Sequence, residues 1–344
     1  MRQQKHRCIY CLRLLSESQF NREHVLPQHL GRFQDNLVLR RSVCRECNQS
    51  LGQQLETWLG RDSYEALLRL RFGQKPLAEL DEFHGKGVAI RIPAGSEWAG
   101  ALLRLIADPE TDELKVDLRP QVGVKRPADA EIRFFTDEEF QKASDEQIGR
   151  EKGSTFKIVG LGQSGSEAMI SMVRARIPGF RMDGSMPPLP AGADGEMTVA
   201  ITATVHGLLT RSIAKIAFNY LSYISGADFV LDPAFNEIRR FIRYGEGNWR
   251  TFVSSRARPI VMNDFIWYGS IRAHLITIDW PIRGEIIESS VSLFNETMYD
   301  VILASRCSLL WRPIRYGHAF FWGSGEIKEL VSTSLFMPWQ MARF

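Results

Sequence analysis

The sequence predicts an α+β protein in two blocks, a small N-terminal module and a larger α+β C-terminal domain whose topology stays open. Three observations carry this reading. Two Cys-x-x-Cys pairs fall within the first 47 residues. Several segments repeat apolar residues at helical spacing, and several others alternate like half-buried strands. At 344 residues, with 44% hydrophobic and 24% charged composition, the chain is long enough for two domains. No apolar run reaches the roughly 18 residues that would span a bilayer, so no membrane is expected.

The N-terminal stretch "MRQQKHRCIYCLRLL" is basic, but Arg13 breaks its apolar part, which does not make a signal peptide. Of five cysteines, Cys8, Cys11, Cys44 and Cys47 form the two pairs, and Cys307 in "ILASRCSLLW" reads as a core residue. An odd, clustered count argues against a secreted disulfide framework and for zinc in a reducing cytoplasm. Four thiolates around Zn²⁺ make a closed tetrahedral site, and its binding energy becomes folding energy for a small core. The second pair opens the helix of "NQSLGQQLETWLG", with Leu51, Leu55, Trp58 and Leu59 on one face and Gly60 as the expected stop. Zinc would then clamp this helix to a hairpin that follows the first pair. "SYEALLRLRFG" reads as a further helix, and the module is expected to span residues 1–75.

The larger domain is expected over residues 86–344. "GVAIRI", "ELKVDL" and "AEIRFF" read as strands, and Thr136 with Glu139 forms a capping box ahead of a helix. The run 181–197 is rich in Pro and Gly and marks a sub-boundary. "TRSIAKIAFNYLSYISG" reads as an amphipathic helix. "DPAFNEIRRFIRYG" is another, capped by Asp232, started at Pro233 and ended at Gly245, with Arg239, Arg240 and Arg243 on a solvated face. "RPIVMNDFIWYG", "HLITIDW", "IIESSVSLF" and "MYDVILAS" are strand candidates. Gly160, Gly162 and Gly165 have the spacing of a dinucleotide-binding turn. The second strand and acid that should follow are missing, so a tight strand-to-helix turn is the better reading.

The charge distribution adds a clue. Residues 1–50 hold nine Lys/Arg against four Asp/Glu, whereas the whole chain nets only +3. The basic excess therefore sits on the cysteine-bearing segment, where it would attract polyanions.

Between the cysteine pairs lie "REHVLPQHLG" and "DNLVL", and "CRECN" follows. An acid beside a histidine, then x-x-Pro, then an asparagine, then a ligand-type residue after Cys-x-x-Cys is a specific order. Over about residues 8–52 the chain resembles the HNH endonucleases, the zinc-stapled branch of the ββα-metal (treble-clef) nucleases. The resemblance implies a general base at His24, a helper at Asn36 that orients it, and a divalent ion held by Glu23 and Asn48. A neutral imidazole suits deprotonation of water near physiological pH, and a cation suits the charge that develops on phosphate and leaving oxygen. Oxygen ligands favour Mg²⁺ or Mn²⁺ over a second zinc. The family's last motif residue is most often His; Asn48 is neutral and a weaker ligand. On a strand Glu23 and His24 point to opposite faces.

Arg22, Arg40 and Arg41 lie close enough to the motif to contact phosphates, while His29 has no assigned role. The resemblance further implies DNA as substrate, with RNA left open, and products with 5′-phosphate and 3′-hydroxyl ends. A single such site cuts one strand, so a homodimer would suit duplex cleavage. The larger domain would serve recognition, dimerisation or control, and a role in bacterial restriction or antiphage defence would suit the family. The competing expectation is a zinc-stapled module that binds nucleic acid or protein without cutting. It accounts for the cysteines and the basic excess but does not call for Glu23, His24, Asn36 and Asn48 together.

Overall fold

A computed structural model describes residues 4–34, 36–77, 83, 85–108, 111, 113–149, 153–160, 162–181, 197–256, 272–280, 286–305 and 314–330. The chain forms two compact units, one made of Met1–Gln74 with Val205–Phe344 and the other of Lys75–Thr204. This differs from the expected blocks of 1–75 and 86–344. The reason is physical: the cysteine-bearing segment shares one apolar core with residues beyond 205, from Val25, Leu26 and Leu55 through Ile213 and Phe218 to Val291 and Phe320.

In the first unit, β1 (Lys5–Arg7) and β2 (Leu14–Ser16) pair antiparallel. The first cysteine pair occupies the turn of this hairpin rather than preceding it. A second pair, β3 (Glu23–His24) and β4 (Val38–Leu39), sets Glu23 opposite Leu39 and His24 opposite Val38. Helix α1 (Arg45–Leu51) starts at Cys44 and runs through a π-helical turn, Gly52–Glu56, into α2 (Thr57–Arg61). Leu51, Leu55, Trp58 and Leu59 are buried along it, the face the spacing predicts. Gly60 does not stop the helix. A Cβ there would lie 3.1 Å from the His29 ring and 3.3 Å from Arg69, so this glycine admits close packing instead. Helix α3 (Tyr64–Arg71), capped by Ser63, closes the segment.

The second unit carries two antiparallel sheets. In one, β5 (Val88–Arg91), β6 (Leu102–Ala107) and β7 (Leu114–Leu118) are flanked by β11 (Ala200–Ala203). In the other, β8 (Gln121–Lys125) lies between β9 (Arg133–Phe135) and β10 (Thr155–Val159). Helix α4 (Asp137–Lys142) begins with the capping box at Thr136 and Glu139, and α5 (Gly162–Arg176) follows β10. A Cβ at Gly160 would meet the Ser166 backbone at 2.4 Å, so the glycine serves a tight strand-to-helix turn. Most of 181–197 lies outside the described residues.

The chain then rejoins the first unit. Helix α6 (Gly207–Ser225) is buried over most of its length. Short α7 (Ala227–Val230), α8 (Asn236–Tyr244) and α9 (Trp249–Phe252) follow. Asp232 caps the turn at Pro233 and Gly245 ends α8 in the left-handed conformation, as the sequence predicts. A six-stranded antiparallel sheet completes the unit. It comprises β12 (Val253–Arg256), β13 (Ala273–Trp280), β14 (Ile287–Leu293), β15 (Thr297–Ala304), β16 (Ile314–Phe321) and β17 (Glu326–Leu330), in the order β12-β15-β14-β13-β16-β17. The candidate strand "RPIVMNDFIWYG" and Cys307 lie outside the described residues.

Arg239 corrects the expectation of a solvated arginine face on α8. It is 3% exposed, and its guanidinium donates to the carbonyls of Ile9 and Val230, both at 2.6 Å. The helix thus fastens the first cysteine turn to the core. No helix among the described residues is long and apolar enough to cross a membrane.

Candidate metal centre and basic groove

Sγ atoms of Cys8, Cys11, Cys44 and Cys47 all lie within 4.8 Å of one another. The Cys44 amide also donates to Cys8 Sγ at 3.4 Å. Arg13 donates to Cys11 Sγ at 3.4 Å. Hydrogen bonding from Cys47, opposed by burial, pushes the Cys8 thiol down to about 4, while its bond to Cys8 together with burial pushes Cys47 up. Four sulfurs this close cannot all ionise without a cation between them. As a donor set, four convergent thiolates fit tetrahedral Zn²⁺.

The strand pair β3–β4 splits the Glu-His dyad as the two-residue strand period requires. Glu23 turns inward and is 3% exposed; His24 is half-buried and lines a groove of about 730 Å³. The other lining residues include Arg22, Gln28, Arg32, Asn36, Arg40 and Tyr223. None of the three arginines has a carboxylate partner among the described residues. Gln28 donates to His24 Nε2 at 3.0 Å, which leaves the ring proton on Nδ1, buried without a partner among the described residues. Burial lowers the His24 pKa from its ordinary value, so the imidazole is neutral at physiological pH.

Asn36 shares the groove, and its Oδ1 is buried without a partner among the described residues. No hydrogen bond joins Asn36 to His24 among the described residues; their chain neighbours are linked by Val25 N–H to the Leu37 carbonyl at 2.9 Å. From α1, Asn48 donates its amide to the Arg22 carbonyl at 3.2 Å. The helix residue is thereby docked on the strand beside Glu23, although 25 positions separate them. Arg41 does not line the groove; it pairs with Glu17 at 2.7 Å on the surface. His29 packs against Gly60, and burial together with Arg69 holds its pKa down to about 4.

Three residues of α6 that reach the groove or the dyad behind it were missed in the sequence. Lys215, Asn219 and Tyr223 recur every four residues and so share one helical face. The Lys215 ammonium, 1% exposed, pairs with Glu23 Oε1 and, at 2.6 Å, with Glu56 Oε1. Asn219 donates to the same Glu23 oxygen at 2.8 Å and to the His24 carbonyl at 3.4 Å. Tyr10 fixes Asn219 by donating to its Oδ1 at 2.7 Å. Burial would raise the Glu56 carboxyl, but Lys215 overrides it and holds the pKa below the usual range. Removing one partner from such a buried pair costs about 3–5 kcal/mol. The sequence signal was present as Lys and Asn four apart within an apolar helix, where a polar stripe reads as the solvent face.

A hairpin and a helix joined by four convergent cysteines that could hold zinc, beside a basic groove with a histidine, form a ββα-type module. Residues 8–63 match the model of a family described as HNH endonuclease. No curated protein and no solved structure matched the chain.

Proposed function

We propose that the chain is a metal-dependent endonuclease that hydrolyses DNA phosphodiester bonds in the groove holding His24. The observation that carries this reading is a neutral imidazole in a groove with three arginines that have no carboxylate partner among the described residues, while Asn48 docks beside Glu23. A binding-only module would use the arginines but has no need of the histidine.

In this reading His24 Nε2 accepts the proton of a water molecule, whose oxygen forms the new bond to phosphorus as the bond to the 3′-oxygen breaks. The 5′-phosphate carries the water oxygen, and the 3′-oxygen leaves as a hydroxyl by taking a proton from solvent water, which is restored by the proton His24 then releases. Gln28 holds the imidazole in orientation until water takes its place, and Asn36 Oδ1 offers an unused acceptor nearby. Arg22, Arg32 and Arg40 grip the flanking phosphates as forked donors. Both α6 contacts of Glu23 fall on Oε1, so Oε2, together with the Asn48 side-chain oxygen, fits an oxygen-seeking Mg²⁺ or Mn²⁺. When bound, such an ion supplies positive charge for the phosphate oxygens and the leaving oxygen. The remaining residues would recognise the target, pair two copies for duplex cleavage, or control the site. A role in bacterial restriction or antiphage defence suits such an enzyme.

The test is plasmid cleavage with Mg²⁺ or Mn²⁺, then with EDTA, for the native chain and for His24→Ala. The expected result is nicking that needs the ion and falls at least about a hundredfold in the variant, the usual contribution of a general base. Retarded plasmid without any break would refute the proposal in favour of a binding module.

A further inference from the structure

Lys215 is a buried lysine, 192 positions from Glu23 in the chain, whose ammonium contacts the motif's own carboxylate. Around it are two carboxylates, Glu23 and Glu56, and the neutral Asn219. One ammonium between two carboxylates leaves a single net negative charge. Glu56 reaches this point because the helix passes through its π-helical turn at Gly52–Glu56, the kind of local distortion that gathers at functional sites. Asn219, held by Tyr10, donates to the same Oε1 and to the His24 carbonyl, so the carboxylate has little freedom to swing from Lys215.

We propose that Lys215 is a resident cation of the site that sets, through Glu23 and Glu56, how tightly a divalent ion is held beside Glu23. The inference rests on the endonuclease reading for the place of the ion but concerns binding, not cleavage. A fixed positive charge next to a ligand carboxylate opposes a second cation at short range. Glu56 contributes the opposite sign from a position that need not touch the ion. Affinity is then tuned by the balance of three charges contributed by β3, the π-helical turn and α6. A site with Glu23 and Asn48 alone, without Lys215, would hold the ion more tightly.

Mn²⁺ binding to the zinc-loaded full chain, followed by calorimetry and by the electron paramagnetic resonance of free Mn²⁺, tests the balance in two directions. Lys215→Met removes the positive charge and is expected to tighten Mn²⁺ binding by about tenfold or more, given the strength of unit charges at these distances. Glu56→Gln removes a negative charge from a partly exposed position and is expected to weaken binding by a similar factor while leaving the fold intact. Should Lys215→Met fail to fold, as judged by zinc content and thermal melting, Glu56→Gln carries the test alone. Unchanged or tighter binding in Glu56→Gln, or unchanged or weaker binding in a folded Lys215→Met, would overturn the proposal. A chain that cuts no DNA yet shows both shifts would refute the endonuclease reading and keep this one; nicking with neither shift would do the reverse.

Discussion

Lowering the pH should unfasten the cysteine-bearing segment through His274. This side chain, on β13, is fully buried and uses both ring nitrogens as a neutral imidazole does. Nε2 donates to the Leu30 carbonyl at 2.9 Å, and Nδ1 accepts from the Phe294 amide at 3.0 Å. A proton added to Nδ1 would face another N–H with no acceptor. Burial therefore lowers the pKa to about 4 from an ordinary 6.5, with a further contribution from His29. The folded value lies below the unfolded one, so the unfolded chain binds the extra proton first. Stability is complete above the unfolded value and drains away as the pH falls towards the folded one. Between pH 7 and pH 5 this single group should remove about 2 kcal/mol. Urea unfolding at both pH values, for the native chain and for His274→Gln, isolates the effect because the zinc thiolates are common to both. The variant is less stable at pH 7 but should lose about 2 kcal/mol less on acidification. Equal losses in the two chains would show that His274 is not the titrating group.

Two further outcomes follow from the metal centre and the groove. Cys44→Ser should abolish stoichiometric zinc, measured by atomic absorption, and with it on the order of 10 kcal/mol of folding free energy, so the variant is expected in the insoluble fraction. In a His24→Ala background, Arg32→Ala and Arg40→Ala should each reduce the slope of log affinity for DNA against log salt by about one. Arg41→Ala, already paired with Glu17, should leave that slope unchanged.

The cysteine framework, the Leu51/Trp58 face, the caps at Thr136 and Asp232, and the strands β5, β7, β9, β13, β14 and β15 were legible because spacing alone determines them. Glu23, His24, Asn36 and Asn48 were singled out differently, through the family resemblance that their local motif carries. What sequence could not supply was partnership. Nothing in "NREHVLP" says that the Glu23 carboxylate will meet an ammonium from "SIAKIAFNYL". Nothing in "RRFIRYG" shows that Arg239 points inward to a backbone carbonyl while Arg240 stays exposed. Arg41 looked equivalent to Arg40, and only the backbone reversal at position 41, with its positive φ of 63°, sends it to Glu17 instead. Gly60 looked like a helix terminator because the neighbour that needs the space, His29, is 31 residues away.

The first compact unit is assembled from two stretches of chain with 130 residues between them. During synthesis every motif residue leaves the ribosome before that intervening unit, and the cysteines can capture zinc at once. The ammonium, amide and phenol of α6 arrive only after the whole intervening unit has been made. Until then Glu23 has no counter-charge, and the wall of the groove that carries Tyr223 does not exist. A growing polypeptide therefore holds an unfinished groove while those 130 residues are translated, and the cysteine-bearing segment is completed only after them.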